Sequence, residues 1–229
     1  MKYYFLDNRL IFPPVEMANE HGILAIGGDL SVSRLLLAYQ SGIFPWFSPG
    51  EPILWWAPDP RFVLYPEKLY VSKSMRQLFK KQPFEVTLDQ SFQKVIANCR
   101  QIPRKAQDGT WITEDMQEAY KDLHGLGYAH SVEVWQENEL VGGLYGVSLG
   151  RCFFGESMFA KVSNASKYGF IFLVEKLREY QFQLIDCQVY TDHLGSLGAE
   201  LIPRTQFMEE LESSLQAETL IGNWGQLFG

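Results

Sequence analysis

Between Tyr180 and Leu184 the spacing of apolar residues changes from helical to extended. Upstream, Ser163 or Asn164 can start a helix with Phe170, Leu173, Val174, Leu177 and Tyr180 on its inner face. Downstream, the heptapeptide from Leu184 to Tyr190 alternates with period two. Leu184, Asp186, Gln188 and Tyr190 fall on one face of an extended chain, and Ile185, Cys187 and Val189 on the other. A helix that feeds directly into a strand must lie against a sheet, so neither an all-helical nor an all-β chain fits. The strand also sets Asp186 and Gln188 about 7 Å apart on one face. Within an apolar frame both groups need hydrogen-bond partners, supplied either by neighbouring backbone or by a ligand.

Other segments extend this pattern. Ser131–Trp135 alternates, residues 136–139 turn, Leu140–Leu149 returns through Gly142, Gly143 and Gly146, and Cys152–Phe159 reads as a third strand. Helices are expected from Ser72 (Met75, Leu78 and Phe79 inward), after a possible Asp89 cap (Phe92, Val95, Ile96, Cys99), and after Thr113 (Met116, Ala119, Tyr120, Leu123). Residues 194–204 suggest a short helix and then a strand. Together these predict an α+β fold with a mixed sheet.

Residues 1–62 differ in character and are expected to form a small N-terminal domain, with 63–229 as the larger one. One helix is expected there, capped by Asp29 or Ser31 and closed by Gly42. Prolines at 45, 49, 52, 58 and 60, interleaved with Trp46, Trp55 and Trp56, forbid a long helix and predict a stiff extended loop over a core or a ligand.

The net charge of −7 argues against binding of nucleic acid by the whole surface, but it does not describe every region. Between Glu67 and Lys105 nine basic residues face three acidic ones, and Lys73, Arg76 and Lys80 recur on one helical stripe with Lys81 beside it. Such a stripe is either a solvated face or a phosphate-binding one. Three isolated cysteines in apolar contexts show neither metal spacing nor a disulfide framework, which fits a reducing, cytoplasmic setting. The longest apolar runs, such as 168–174, are too short to span a bilayer. The four histidines lack metal spacing, Ser157 lacks a nucleophile elbow, and no phosphate-binding glycine run occurs. Glu156 and Asp186 could form an acid–base pair, but sequence spacing does not set their separation.

Several blocks together resemble the leucyl/phenylalanyl-tRNA–protein transferase family. They include Phe12-Pro13-Pro14, residues 22–30 (GILAIGGDL), 42–47 (GIFPWF), 55–61 (WWAPDPR), 109–113 (GTWIT), 130–135 (HSVEVW), 140–146 (LVGGLYG), 155–159 (GESMF) and 184–189 (LIDCQV). They run in the family's order from about residue 10 to 207, leaving the last twenty or so residues without a family signal.

The resemblance implies a small N-terminal domain followed by a GNAT-like acyltransferase domain. The implied reaction moves Leu or Phe, and less often Met, from aminoacyl-tRNA to the α-amino group of a protein beginning with Arg or Lys. The product is marked for degradation by the N-end rule. No cofactor is implied, because the donor ester is already activated. A monomer without a membrane partner is expected. In the family, Asp186 is thought to hydrogen-bond the Gln188 amide, Gln188 to accept a proton from the attacking amine, and Glu156 to offer negative charge to the acceptor. Trp46 and Trp111 would hold the terminal adenosine. Tyr39, Tyr120 and Gly155 would contact substrate, and Leu144, Phe153, Phe170, Leu173, Leu177 and Ile185 would line a slot for the amino-acid side chain. The family more often has Met at position 144 and Phe at 173 and 177, so a slot of different shape is expected. Lys73, Arg76, Lys80 and Lys81 would meet tRNA phosphates. Two other readings are a non-catalytic module that binds aminoacyl-tRNA or peptide N-termini, and an acetyl-CoA-dependent small-molecule N-acyltransferase.

Overall fold

The computed structural model describes residues 4–101 and 112–228. Trp111, expected above to hold the terminal adenosine, and Lys105, at the end of the basic stretch, lie outside the described residues. The chain begins with a four-stranded sheet built from β1 (Tyr4–Leu6), β2 (Ile23–Gly27), β3 (Phe44–Pro45) and β4 (Leu54–Trp56), in the order β1-β2-β4-β3. Helix α1 (Val32–Gln40) follows β2, and its start is capped by Ser31, whose side chain accepts the Arg34 N–H. The proline-rich stretch is therefore not all loop. Its prolines confine β3 to two residues at a sheet edge, where a missing N–H is tolerated.

The chain then enters a seven-stranded sheet through β5 (Arg61–Leu64). Next come α2 (Lys73–Lys81), β6 (Glu85–Leu88), α3 (Phe92–Gln101), α4 (Glu114–Gly125), β7 (Ala129–Gln136), β8 (Glu139–Leu149) and β9 (Cys152–Ala160). Helix α5 (Ala165–Glu179) leads into β10 (Leu184–Gln188), followed by α6 (Asp192–Gly195), β11 (Glu200–Ile202), α7 (Arg204–Leu215) and α8 (Trp224–Leu227). The strand order is β11-β5-β10-β9-β8-β7-β6. Among the described strands of this sheet β9 and β10 are the one parallel pair, so a crossover must join them, and α5 is that crossover. The sheet is mixed and the fold is α+β, as the change of hydrophobic period predicts.

Each face of this sheet has its own core. Phe170, Leu173, Val174 and Leu177 of α5 pack with Val132, Leu144, Phe153 and Ile185. On the other face Tyr145, Phe154 and Leu184 share a cluster with Ile96 of α3, Met116 of α4, and Leu24 and Trp55 of the small sheet. Ser72 and Thr113 cap α2 and α4 as expected, accepting the N–H groups of Met75 and Met116. Asp89 does not act as expected. Glu133 accepts the Gln90 and Ser91 N–H groups ahead of α3, while Asp89 turns inward to Ser131 and His130. Among the described residues, no helix is long and apolar enough to cross a membrane.

Candidate active site

The parallel pairing of β9 and β10 runs from Leu184 opposite Cys152 to Asp186 opposite Phe154. Past that point a cavity of about 360 Å³ is lined by Gly155–Met158 on one side and Cys187–Val189 on the other. Both strands carry an irregularity here. Opposite β8, Gly146 pairs with Gly155 and Tyr145 with Ser157, which leaves Glu156 as the extra residue. Opposite β5, Val63 pairs with Asp186 and Phe62 with Gln188, which leaves Cys187 extra. Bulges re-aim side chains, and these two bring the polar groups together.

Strict alternation of Asp186 with Gln188 therefore fails at its last step. Gln188 takes a φ of 64° and its side chain reaches across to β9, where Nε2 donates to Glu156 Oε1 at 2.9 Å. Asp186 does meet Gln188, but through the main chain: its Oδ1 accepts the Gln188 N–H at 2.9 Å. Both Asp186 oxygens also accept from Arg61, Oδ1 from Nε at 2.8 Å and Oδ2 from Nη2 at 2.6 Å. This pair is wholly buried, with the guanidinium lying between the rings of Phe44 and Phe207 at 4.7 and 4.6 Å. Sequence reasoning missed Arg61 as a site residue. Its sole clue was a cation in an apolar, proline-rich stretch, because its partner lies 125 residues away.

Glu156 receives three neutral donors. Tyr39 Oη donates to Oε1 at 2.7 Å, Tyr120 Oη to Oε2 at 2.9 Å, and Gln188 completes the set. The two hydroxyl oxygens also lie against each other, but each carries a single proton, and both protons are directed at Glu156. Burial pushes the Glu156 carboxyl up to about 7, against these three donors, which pull it down. Burial and the charge of Glu156 raise both tyrosines well above their ordinary range, so they remain protonated donors. Neither tyrosine lines the cavity; both hold Glu156 from behind.

The apolar end is made by Leu144, Phe153, Phe170 and Ile185, with Trp46 and Pro45 reaching in from the small sheet. Leu173 and Leu177, expected in the slot, are fully buried but do not line it. They sit behind Phe170 on the same helix. His193 also lines the cavity; its Nε2 is buried without a hydrogen-bond partner, and burial lowers its tendency to protonate. Thr191 caps the short helix that carries it, by accepting the Leu194 N–H. Lys73, Arg76, Lys80 and Lys81 are all exposed along α2, outside the cavity. Among the described residues, no group of three or more His, Cys, Asp or Glu side chains is arranged to hold a metal ion.

Comparison with known proteins adds a second line of evidence. A family model described as leucyl/phenylalanyl-tRNA protein transferase matches residues 63–212, and one described as the N-terminal domain of that enzyme matches 28–59. The chain is 63% identical over 219 residues to the leucyl/phenylalanyl-tRNA–protein transferase of Syntrophus aciditrophicus, covering 96% of this chain and 92% of that one. It is 59% identical over 210 residues to that of Flavobacterium johnsoniae, with coverage of 92% and 99%. Likeness to solved structures is fainter. A functionally unknown conserved protein from Staphylococcus epidermidis gives a TM-score of 0.45 at 9% identity, covering 79% of this chain and 68% of that one. A GCN5-related N-acetyltransferase from Kribbella flavida gives 0.38 at 7% identity, covering 74% and 59%.

Proposed function

The chain belongs to the leucyl/phenylalanyl-tRNA–protein transferase family, and from that premise we propose that it moves Leu or Phe, and less readily Met, from tRNA to the α-amino group of proteins beginning with Arg or Lys. The amine nitrogen attacks the ester carbonyl, a C–N bond forms, and the bond to the tRNA ribose oxygen breaks. The amine must lose a proton, and the departing ribose oxygen must gain one. The donor is already activated, so the reaction requires neither ATP nor a metal ion. What the protein supplies is alignment, proton transfer and exclusion of water.

The observation that carries this reading is a carboxyl in the wall of an apolar cavity, held by Tyr39, Tyr120 and Gln188 with no cation among those partners, where burial pushes it up to about 7. A carboxamide is too weak a base to deprotonate an ammonium ion near neutral pH. A carboxylate poised near the working pH is suited to it. Glu156 then attracts the cationic acceptor and takes its proton. Gln188, with Nε2 committed to Glu156, presents its carbonyl oxygen to the amine and orients it. Asp186 acts through Arg61 and the Gln188 main chain, as a positioning residue. Leu144, Phe153, Phe170 and Ile185 enclose the Leu or Phe side chain. Trp46 stacks on the terminal adenine, a contact worth about 1–3 kcal/mol per base. The α2 stripe meets acceptor-stem phosphates without reading sequence. The reaction belongs in the cytoplasm, where charged tRNA and newly exposed N-termini meet, and it marks the acceptor for degradation.

The test is direct. The protein is mixed with radiolabelled Leu-tRNA and a protein beginning with Arg; label in the protein fraction is expected, and its absence overturns the reading. Reversing the charge of Arg76 and Lys80 should weaken tRNA binding and flatten its salt dependence. Unchanged affinity would return the stripe to a solvated face.

A further inference from the structure

The match to the family model ends at residue 212, and the chain continues into α8, where Trp224 is wholly buried. Its main-chain N–H donates to Asp89 Oδ2 at 2.7 Å, and its indole N–H to the Leu220 carbonyl at 3.2 Å. The preceding Asn223 donates from Nδ2 to the Asp89 carbonyl. The indole stacks on His130 at 3.7 Å and 7°, and His130 Nδ1 is itself 2.8 Å from Asp89 Oδ2. Phe228 stacks on the same indole at 4.6 Å and on Tyr180 at 4.1 Å, so the chain end is held on the α5 side of the sheet.

This assembly abuts the slot. The Trp224 ring lies 5.8 Å from that of Phe153, which lines the cavity, whereas Trp224 does not. On its β8 side the Phe153 ring occupies the space a side chain at position 146 would need: a Cβ on Gly146 would come within 2.5 Å of Phe153 Cζ. Phe153 is thus confined by Gly146 beneath it and Trp224 beside it. Trp224 also shares one apolar cluster with Leu144, Phe170 and Ile185, the other walls of the slot.

We infer that Trp224 is a positioning residue for amino-acid selection: it fixes the Phe153 ring and so sets the depth of the slot. The inference rests on reading the cavity as the slot for the transferred side chain. Truncating Trp224 opens space behind Phe153, which lets the ring retreat and the slot lengthen. The longer Phe side chain gains more from that than Leu does.

The test compares wild type, Trp224→Ala and Trp224→Phe as full chains, measuring kcat/KM with Phe-tRNA and with Leu-tRNA, and the Kd for uncharged tRNA. The Phe-to-Leu ratio is expected to rise about five- to tenfold in the alanine variant, the scale set by small volume changes in apolar pockets. It should return most of the way in the phenylalanine variant, with tRNA affinity unchanged in both. If the alanine variant does not fold, Trp224→Leu takes its place with the same expected direction. A ratio that stays at the wild-type value while both donors decline equally overturns the inference and leaves Trp224 a stabilising residue alone. A wild-type protein that transfers neither amino acid removes the slot itself, and this inference with it.

Discussion

Asp186 and Glu156 stand on neighbouring strands, Asp186 wholly buried and Glu156 part-buried in the cavity wall, and their surroundings differ in kind. Asp186 faces a guanidinium that returns two hydrogen bonds and a full opposite charge. Glu156 is met by two phenolic hydroxyls and an amide, which offer dipoles but no charge. For Glu156, loss of water outweighs the dipoles and its carboxyl rises to about 7. One carboxylate has become part of the frame, and the other is left able to exchange a proton near neutral pH. Polar groups of the same chemical type, one strand apart, acquire different work from the charge of their partners.

Removing the charge partner tests the contrast most severely. Arg61→Ala strands Asp186 as a buried, unpaired carboxylate and should cost about 3–5 kcal/mol of stability in denaturant unfolding. A loss below about 1 kcal/mol would mean the pair is not the structural element described.

Next in size is Gln188→Ala, expected to reduce kcat roughly 10²-fold or more with tRNA affinity unchanged. Undiminished transfer would favour a binding module, in which the carboxamide does no chemistry.

Glu156→Gln sharpens the other half of the comparison. If ionised Glu156 is the base, wild-type kcat/KM rises with pH through about 7, and the variant should be slow and flat across that range. Stability should move the opposite way. The folded carboxyl titrates above its unfolded counterpart, so between about 4.5 and 7 the native state binds more protons than the unfolded state. Stability falls as pH rises through that window, and Glu156→Gln should abolish that part of the slope.

The smallest effect is expected from Tyr39→Phe. One donor to Glu156 is lost, at about 1 kcal/mol of stability, and the rise in kcat/KM shifts to higher pH. A downward shift would contradict the view that the tyrosines favour the ionised form.

Much of the frame was legible because it is encoded locally. The helical spacing of Phe170, Leu173 and Leu177, the caps at Ser72 and Thr113, and the alternation from Ser131 to Phe159 each depend on a few adjacent residues, and α5, α2, α4 and β7–β9 lie where those signals place them. The strand at Leu184 was legible through Cys187 and misread at Gln188. Local alternation carries no information about a bulge, which depends on the register of the strand alongside. Short β5 and β6 were not anticipated, since four residues give periodicity too little length to register. Leu173 and Leu177 share a helical face with Phe170, but only packing decides which of the three meets the cavity.

By itself, then, the sequence determined an α+β chain with a long helix feeding a polar-bearing strand, and through its motifs a family. It determined these because hydrophobic period, capping and proline placement act over a few bonds. Tertiary structure alone decided that Arg61 neutralises Asp186, that Tyr39 and Tyr120 converge on Glu156, and that Trp224 stands behind Phe153. The hydrogen-bonded pairs among those contacts join residues from 36 to 125 positions apart, and all of them exist only once strand register and layer packing have brought distant segments together. The charge state of Glu156 belongs to that second class, because it is a property of what surrounds the side chain.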